Sequence, residues 1–543
     1  MNLGLNALRR SYVQLRSDLK KAKGTLTLAA GIRNFLREPI TVPQAKEELK
    51  EILDRREENF LALTRTQIFE RPGSPYLKLL QHAGCEFSDL RTLVLHHGLA
   101  KTLEHLAKGG VYLTSDEFKG KKEVVRGGLS FRVSPKDFEP SYKASGFVIQ
   151  SSGTRNRPVR YTISLEWLNL RTLAMAVYFS AHNLFSHTHA MYDAILPGAG
   201  GVNNLLCYAK LGICTDRWFA RKIPVNHWLD GQYHYLMTYL IVMMGKWFGP
   251  GFPKPEFIDV KDLERIVRWV LEKKRQGKMC CIGSAASNAA RIARVAWEIG
   301  ESLEGVKFNV SGEPLTEAKR EVMERVGATV TVRFAVSAGI NVGYGCANPA
   351  HVDELHVNQH MLEVIRHPNP LADDGSAIHP LLATTIHPSA MTLLLNVDNG
   401  DYATVERRDC GCDLEKAGLT LHLHHIRSYE KFTSEGMNYF YGDLFELFEK
   451  ILPAEFGGGP GDYQLVEEED TQGQTRLSLI VHPAVGELHE EKILSRLRGA
   501  LAQGSRGNRF MTNLWQDAGT FRVVRKVPHS SGRGKILPLH MKH

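Results

Sequence analysis

The feature that most constrains the fold of this chain is a repeated alternation of strand-like and helix-like segments over residues 146–425. The alternation is clearest from Thr316, which is placed to cap a helix that runs to Val326 and stops at Gly327. The β-branched segment that follows, 328–336, predicts a strand. Strands that alternate with helices predict an α/β body in which helices cover a largely buried sheet.

Length and composition narrow the class of protein. At 543 residues the chain exceeds the usual size of a single core, so we expect two or more domains. A formal charge of +9 is a mild excess, and there is no zinc-finger spacing, RNP-like aromatic motif or long Lys/Arg block, so we expect no nucleic-acid partner. The longest apolar run, 235–244, falls short of the roughly 20 residues of a membrane span and predicts a buried helix. The low density of cysteine and the absence of a secretory pattern predict a cytoplasmic location.

Changes in the sequence pattern along the chain predict that it has three parts. Residues 1–70 read as a helical N-terminal extension, and 71–426 read as the large multi-subdomain α/β body. A glycine-rich loop at 457–461 is followed by strand, helix and strand patterns. This predicts a small, mobile α+β C-terminal domain over 427–543 that carries Lys535.

The segment 151–158, Ser-Ser-Gly-Thr-Arg-Asn-Arg-Pro, follows the strand-like run 146–150 and has the chemistry of a phosphate-binding turn. Small residues let backbone N–H groups converge on one point, and hydroxyls and arginines add donors and charge. It lacks the spacing of the Walker P-loop. The candidate phosphate-binding residues are Ser151, Ser152, Gly153, Thr154, Arg155 and Arg157.

Further motifs follow in order. The turn Ser311-Gly312-Glu313-Pro314 lies between a strand-like run and the helix at Thr316, and Gly312 lets a flat ring approach the backbone. Asp401, in an Asn-Gly-Asp turn that is predicted to end the strand 393–397, offers a carboxylate that can accept both hydroxyls of a ribose. Arg427 opens a segment that runs to Gly436, and Lys535 lies in a glycine-rich C-terminal tail.

In this order and spacing the motifs resemble those of the adenylate-forming superfamily, and within it most closely the phenylacetate–CoA ligase branch. The resemblance covers about residues 146–543 and implies the two-domain adenylate-forming fold. It implies that the loop at Ser151 holds the phosphates of ATP and that the turn Ser311–Pro314 lies beside the adenine. It further implies that Asp401 holds the ribose, that Arg427 belongs to the hinge, and that Lys535 serves the adenylation step.

The sequence also departs from this family pattern. Arg155, Asn156 and Arg157 stand where the family has Thr, Gly and Lys. In the stretch that follows the strand at 328–336, Ser337 is kept as a phosphate contact, but Ala338 replaces the Glu that binds Mg²⁺ in the family. Either another carboxylate holds the Mg²⁺, or adenylation is altered or lost.

The resemblance implies that a carboxylic acid reacts with ATP to give acyl-AMP, which is then transferred to a thiol, most simply that of CoA. Two alternatives remain open. The acceptor could instead be a carrier-protein thiol or an amine, or a different anion could be activated, as the basic replacements at Arg155 and Arg157 allow. The protein could also be an inactive nucleotide- or zinc-binding homologue, because Ala338 removes a metal ligand. Neither the acid nor the oligomeric state follows from the sequence.

A second set of residues has metal-ligand chemistry. Cys410 and Cys412 are two residues apart, and Cys346 precedes His356. Some phenylacetate–CoA ligase-like proteins bind a structural zinc with a similar set, and three thiolates with one imidazole make a tetrahedral Zn²⁺ site. The alternative is that these are unpaired cysteines of a reducing compartment beside ordinary histidines. The alternating His422, His424 and His425 favour a structural role in a strand.

Overall fold

The structure is a computed structural model, and it describes 28–142, 146–150, 160–196, 198, 200–221, 228–259, 262–336, 340–369, 371–373, 376–428, 431–434, 437–440, 447–459, 462–470, 474–502, 512, 515–529 and 539–541. Within these residues the helices before the large sheet are 28–37 (α1), Val42–Asp54 (α2), Arg56–Thr64 (α3), Pro75–His82 (α4), Phe87–Lys108 (α5) and Ser115–Phe118 (α6). The helices of the body are Leu165–Ala181 (α7), Gly200–Lys210 (α8), Trp228–Phe248 (α9), Glu264–Arg275 (α10), Ala286–Glu298 (α11), Glu317–Arg325 (α12) and Asp413–Lys416 (α13). Two more helices follow, Leu452–Phe456 (α14) and Glu490–Ala502 (α15).

The strands of the first half of the chain are Val124–Arg126 (β1), Leu129–Phe131 (β2), Gly146–Gln150 (β3), Arg160–Ser164 (β4), Thr188–Tyr192 (β5), Thr215–Arg221 (β6), Pro255–Ile258 (β7), Cys280–Ala285 (β8), Lys307–Ser311 (β9), Thr329–Val336 (β10), Ile340–Gly345 (β11) and Leu355–Val357 (β12). The remaining strands are Leu362–Arg366 (β13), Leu371–Asp373 (β14), Ser376–Ile378 (β15), Pro380–Thr385 (β16), Val397–Arg407 (β17), Leu421–Ser428 (β18), Lys431–Ser434 (β19), Met437–Phe440 (β20), Tyr463–Glu469 (β21), Thr475–Val481 (β22), Phe521–Arg525 (β23) and Leu539–Met541 (β24).

One large sheet organises the body, and it has a parallel half and an antiparallel half. In the order of hydrogen-bonded neighbours its strands are β13-β16-β17-β18-β12-β11-β10-β9-β8-β5-β6-β7. From β10 to β7 each neighbouring pair is parallel, whereas from β10 to β13 each pair is antiparallel. The α/β class expected from the alternating pattern is confirmed, because α8, α10, α11 and α12 connect parallel strands.

Local sequence signals explain the boundaries of the elements in the parallel half. The hydroxyl of Thr316 caps α12 by accepting a hydrogen bond from the Lys319 backbone at 3.4 Å. The helix ends before Gly327, whose φ of 83° lies in the left-handed region that favours glycine. The Cys, Ile, Phe and Val side chains of β8 and β9 are buried, and both strands contact α11. This fits a parallel sheet covered by helices.

Two hydrophobic cores lie in the described part of the chain. The larger extends from Leu28 to Ile426 and includes the buried residues of the N-terminal helices, such as Leu49 and Phe60. The smaller lies within 447–521 and is formed around Leu465, Leu479 and α15. There a four-stranded sheet of order β23-β22-β21-β24 packs with α15, as the α+β pattern predicted.

Helix α9 contains the apolar run 235–244 and differs from its prediction in one respect. It is helical, and Met237 and Met244 are buried. However, Leu236 is 68% exposed and Met243 is 44% exposed, so one face of the helix lies at the surface. Searched over the described residues, no helix combines the length and the apolar character needed to cross a membrane.

Candidate functional site

The turn Ser311–Pro314, predicted to lie beside the adenine, is at the carboxyl edge of the parallel strands. β9 ends at Ser311, and in register Val310 pairs with Val332 of β10, so the end of β10 extends beyond the turn at Ser311. The neighbouring β8 ends level with it, since Ala285 pairs with Ser311. In open α/β sheets ligands bind at this edge, outside the carboxyl ends of the strands.

The turn Ser311–Pro314 is held in place by its own glutamate. Gly312 has a φ of 87°, in the left-handed region, as its role in a tight turn requires. The Glu313 carboxylate is buried, and it accepts hydrogen bonds from the backbone N–H of Ser287 at 3.2 Å and from the Ser287 hydroxyl at 2.6 Å. The Lys319 ammonium lies 3.8 Å from the other carboxylate oxygen. Glu313 therefore ties the turn to the first residues of α11 and of α12.

The predicted phosphate loop connects two paired strands. β3 and β4 form an antiparallel hairpin in which Gln150 pairs with Arg160. Ser151, Ser152, Gly153, Thr154, Arg155 and Arg157 all belong to the connection between these two strands and lie outside the described residues. The hairpin stands immediately before α7 in the chain, and the phosphate-binding role of its connection stays a prediction.

Ser337 and Lys535 also lie outside the described residues. The strands next to them in the chain are described. Ser337 and Ala338 belong to the connection between β10 and β11, whose last pair is Val336 with Ile340. Lys535 precedes β24, which pairs in parallel with β21 of the C-terminal sheet. The chain after Lys535 therefore returns to the sheet, which the expectation of a C-terminal tail did not include.

Asp401 lies inside a strand, so the predicted turn after a strand at 393–397 was wrong. β17 starts at Val397, and the residues just before it are not in a strand. Opposite β16 the register jumps from Asp398 to Tyr402, which makes 399–401 a bulge, with Gly400 at a φ of 80°. The Asp398 carboxylate accepts a hydrogen bond from the Gly400 backbone at 2.7 Å and supports this bulge. Asp401 itself is 5% exposed.

Arg427 is on the neighbouring strand, β18, where it pairs with Tyr402. Its guanidinium donates to the carboxylate of Asp353 at 3.1 Å and to the Ile426 carbonyl at 2.7 Å. The same Asp353 carboxylate accepts the backbone N–H groups of His425 and Ile426, at 2.9 and 2.8 Å. Asp353 thus fixes the end of β18 just before the chain leaves for the C-terminal part, and sequence patterns gave no signal for it because it lies 74 residues from Arg427.

The four predicted metal ligands do come together. One ligand atom from each of Cys346, His356, Cys410 and Cys412 lies within 4.8 Å of the others. The imidazole Nε2 of His356 is 3.6 Å from the Cys410 sulfur and 3.2 Å from the Cys412 sulfur. Its Nδ1 donates to the Leu419 carbonyl at 2.6 Å, which leaves the Nε2 lone pair directed at the thiols. This geometry fits a tetrahedral Cys₃His site for Zn²⁺.

Hydrogen-bond donors surround the sulfurs of this cluster, and the pKa values of its thiols shift in opposite directions. Backbone N–H groups of Asn348 and Cys412 point at the sulfurs of Cys346 and Cys410, both at 3.4 Å, and Arg408 lies 3.8 Å from the Cys346 sulfur. The hydrogen bond from the Cys346 thiol lowers the pKa of Cys412, and His356 lowers it further. The hydrogen bond to Cys412 raises the pKa of Cys346, and burial raises the pKa of Cys410 to about 11, so the metal-free cluster favours a single thiolate, at Cys412. Metal binding requires deprotonated thiols and would therefore release the remaining thiol protons.

A separate cluster of histidines lies on β18 and on the loop before β12. Ligand atoms of His351, His424 and His425 are within 4.8 Å of one another, and His425 has a φ of 52°. His422 lies apart from them, buried, with its Nδ1 at 2.7 Å from Glu354. His424 and His425 thus join His351 in one group that could hold a metal ion, whereas His422 belongs to another with Glu354 and Cys346, and the structural role expected for the three histidines stays a prediction.

Comparisons with known proteins agree with the architecture. No protein-family model and no curated protein matches the chain. Among solved structures it is similar to 2-hydroxyisobutyryl-CoA ligase in complex with 2-HIB-AMP and CoA in the thioesterification state, with a TM-score of 0.51, 16% identity, and coverage of 93% of this chain and 92% of that one. An open conformation of this ligase has a TM-score of 0.44, 15% identity, and coverage of 89% and 92%. An amide bond synthetase from Marinactinospora thermotolerans has a TM-score of 0.38, 13% identity, and coverage of 89% and 92%.

The first of these matches defines the class of fold. It spans nearly the whole of both chains, including the large mixed sheet and the separate C-terminal sheet. The chain therefore has the adenylate-forming fold, and the fold class predicted from the sequence is confirmed.

Proposed function

We propose that the protein is an AMP-forming carboxylate ligase that activates a carboxylic acid with ATP and passes the acyl group to CoA. The observation that carries this proposal is the adenylate-forming fold, along which the motif-bearing segments follow one another in the order of that family's motifs. The turn at Ser311 and the β10–β11 connection with Ser337 share the carboxyl edge of the parallel strands, and Asp401 and Arg427 lie on the adjacent strands β17 and β18. The similarity to a ligase structure with an acyl-AMP supports the fold on which such a site is built.

The chemistry asked of the protein is alignment and charge stabilisation. A carboxylate oxygen attacks the α-phosphorus, the bond from that phosphorus to the bridging oxygen breaks, and pyrophosphate leaves. The loop of Ser151–Pro158 and Ser337 would hold the leaving phosphates, while Lys535 would neutralise charge between the carboxylate and the α-phosphate. The turn of Ser311, Gly312, Glu313 and Pro314 would hold the adenine, and Asp401 the ribose.

The second half-reaction needs a different arrangement. The CoA sulfur attacks the acyl carbon, loses its proton to solvent, and AMP leaves. In our proposal the division at 426/427 is the domain boundary, and the C-terminal domain moves about the hinge at Arg427 to withdraw Lys535 and admit the thiol. Asp353 would then be the fixed anchor against which the hinge turns, because it holds the last residues of β18.

Two cations belong to the proposal. Cys346, His356, Cys410 and Cys412 would hold a structural Zn²⁺ that links the end of β11, β12 and the connection between β17 and α13. Mg²⁺ would accompany ATP. Its protein ligand would be a carboxylate elsewhere in the chain, because position 338 is an alanine. The Cys₃His set is also the feature that favours the phenylacetate–CoA ligase-like branch, and its reduced thiols fit a cytoplasmic location.

Exchange of pyrophosphate into ATP, measured across aromatic and aliphatic acids, tests the adenylation step. We expect exchange with at least one acid, loss of it in Lys535→Ala, and retention in Lys492→Ala, an exposed lysine of α15. In addition, Lys535→Ala should still form thioester from preformed acyl-AMP, because the lysine acts only in the first half-reaction. Absence of exchange with every acid in a folded protein would argue against the proposal.

A different acceptor is the second candidate, favoured by Arg155, Arg157 and Ala338. Hydroxylamine traps an acyl-AMP whatever the natural acceptor is. Hydroxamate formation without any CoA-dependent product would support a carrier-protein thiol or an amine as acceptor, whereas a CoA-dependent product would exclude this candidate. Binding of ATP without turnover, unchanged in Lys535→Ala, would instead indicate an inactive homologue.

A further inference from the structure

Two buried arginines in the body share one amide oxygen. Arg171, on α7, donates from Nη2 to the Asn204 Oδ1 at 3.0 Å, and Arg333, on β10, donates from Nη1 to the same oxygen at 2.9 Å. Arg171 is 8% exposed, Asn204 4% and Arg333 5%. The amide therefore holds two guanidinium groups close together in the interior, and sequence patterns gave no sign of this because the three residues lie on separate elements.

These two positive charges have no acidic partner among the described residues. No carboxylate there lies within 4.0 Å of either guanidinium, whereas the partly buried Arg126 has one in Glu117. The Nε atoms of Arg171 and Arg333 are both buried and make no hydrogen bond in the described part. A guanidinium keeps its charge at any physiological pH, and a buried charge without a partner costs several kcal/mol. Two buried guanidinium groups with unused N–H donors have the chemistry of an anion-binding site.

The nearby phenols and the Cys281 thiol do not supply a negative charge. The hydroxyl of Tyr344 donates to the backbone carbonyl of Arg171 at 3.3 Å, and burial raises the pKa of this phenol and of those of Tyr178 and Tyr208. Burial also raises the pKa of the Cys281 thiol to about 12. All four groups are therefore neutral near pH 7. The site combines two cations with neutral walls, which suits one desolvated carboxylate.

The location links this site to the proposed reaction. Arg333 lies one residue beyond the Val332–Val310 pair, level with Ser311, and three residues before the end of β10. Asn204 is on α8, which follows the carboxyl end of β5. The guanidinium pair therefore lies in the body next to the strand ends where the acyl-AMP would be made.

We propose that Arg171, Arg333 and Asn204 bind a second carboxylate on the acid that is adenylated, so that the substrate is a dicarboxylic acid. This inference rests on the proposed function. The first carboxylate reacts at the carboxyl edge, and the second pairs with the two planar guanidinium forks, which match a carboxylate better than an ammonium does. The Asn204 oxygen holds both forks in position before the acid binds.

Pyrophosphate exchange with matched acids tests the inference on the full-length protein. Each straight-chain or aromatic dicarboxylic acid is compared with the monocarboxylic acid of the same skeleton. We expect the best dicarboxylic acid to exceed its monocarboxylic partner at least about tenfold, and Arg171→Met and Arg333→Met each to lower its rate about 100-fold. Methionine is unbranched and apolar, and replacing a buried charge by an apolar group of similar volume is commonly tolerated, so both variants should fold. Arg217→Met, at a half-exposed arginine of β6, should change neither rate.

The outcomes separate this inference from the proposed function. Exchange that is equal or faster with monocarboxylic acids, or a preference that survives both arginine variants, overturns the dicarboxylate site and leaves adenylation standing. If no acid supports exchange, the proposed adenylation is wrong. Thermal unfolding then tests whether the arginine pair binds a dicarboxylate. A dicarboxylate that raises the melting temperature of the wild type but not of Arg333→Met supports it, and the absence of any such shift overturns it.

Discussion

The Glu313 carboxylate accepts hydrogen bonds from both the backbone N–H and the hydroxyl of Ser287, at 3.2 and 2.6 Å. The carboxylate of the turn at 311–314 thus points inward, toward α11, and its task is to hold the turn in shape. This relationship explains how a turn with a left-handed glycine is held in one conformation. The adenine would lie against the backbone of the turn, with Glu313 behind it.

Glu313→Ala is therefore expected to act through stability as well as through nucleotide binding. The change leaves a buried N–H group and the Lys319 ammonium without this acceptor, and should lower the free energy of unfolding by about 1–3 kcal/mol. Urea unfolding followed by tryptophan fluorescence measures the effect. Glu317→Ala removes an exposed carboxylate at the start of the next helix and should change stability by less than about 0.5 kcal/mol. Equal effects of the two changes would contradict the role given to Glu313.

Local sequence signals predicted much of the parallel half of the fold. The cap at Thr316, the stop at Gly327 and the β-branched strand after it each depend on neighbours in sequence, and all three are confirmed. The Cys-x-Cys spacing likewise identified ligands that the fold brings together with Cys346 and His356. These features are predictable because the physical cause lies within a few residues, or because the chemistry of the side chains is distinctive.

Features that depend on distant partners were missed. The Asn-Gly-Asp segment has the composition of a turn, but the residues on either side of it pair with β16 and Asp401 pairs with β18, so the segment becomes a bulge within one strand. Asp353 has a role because the fold brings it to Arg427. Arg171 and Arg333 come together because both donate to Asn204. The apolar sequence of α9 predicts a buried helix, yet no described element covers Leu236.

Zinc binding should make stability depend on the thiols. We expect about one zinc per chain in the purified protein, and loss of it in Cys412→Ser, because the serine hydroxyl does not replace a buried thiolate ligand. The free energy of unfolding should fall by at least about 3 kcal/mol, since binding energy at a structural site is folding energy. Elemental analysis and thermal unfolding provide the two readouts. Cys214→Ser, at an exposed thiol outside the cluster, is the matched control. A wild-type protein that neither contains nor takes up zinc would contradict the site.

The pair of Glu117 and Arg126 should make the stability of the N-terminal part depend on pH. Burial raises the pKa of Glu117, but the hydrogen bonds from Arg126, at 2.7 and 2.9 Å, the hydrogen bonds from Thr114 and the charge of Arg126 together lower it by more, so the pKa in the folded state lies below the usual value. The stabilisation is therefore fully present above the ordinary glutamate pKa of about 4.3, and it is lost as the pH falls through the lower folded value. Glu117→Gln should cost about 2 kcal/mol at pH 7 and progressively less below about pH 4.

Unfolding by urea at a series of pH values measures this dependence. Glu58→Gln is the matched control, because Glu58 pairs with Arg55 at 3.0 Å on the surface, where solvent screens the interaction. A difference between wild type and Glu117→Gln that stays constant with pH would show that packing, and not the charge, is responsible.

Asp401 should discriminate between ribose and deoxyribose. A carboxylate that accepts both ribose hydroxyls loses one charge-assisted hydrogen bond when the 2′-hydroxyl is absent, so the wild type should use ATP about 10- to 100-fold better than 2′-deoxy-ATP in pyrophosphate exchange. Asp401→Asn keeps the size of the side chain within the bulge at 399–401 and removes only its charge. It should reduce the rate with ATP at least about tenfold and change the rate with 2′-deoxy-ATP little, so that most of the preference disappears. Asp54→Asn, at an exposed position of α2, should leave both rates unchanged. Because Asp401 and Arg427 lie on paired strands, a preference that survived in Asp401→Asn would place the ribose elsewhere and would remove the reason for assigning the nucleotide to this end of β17 and β18.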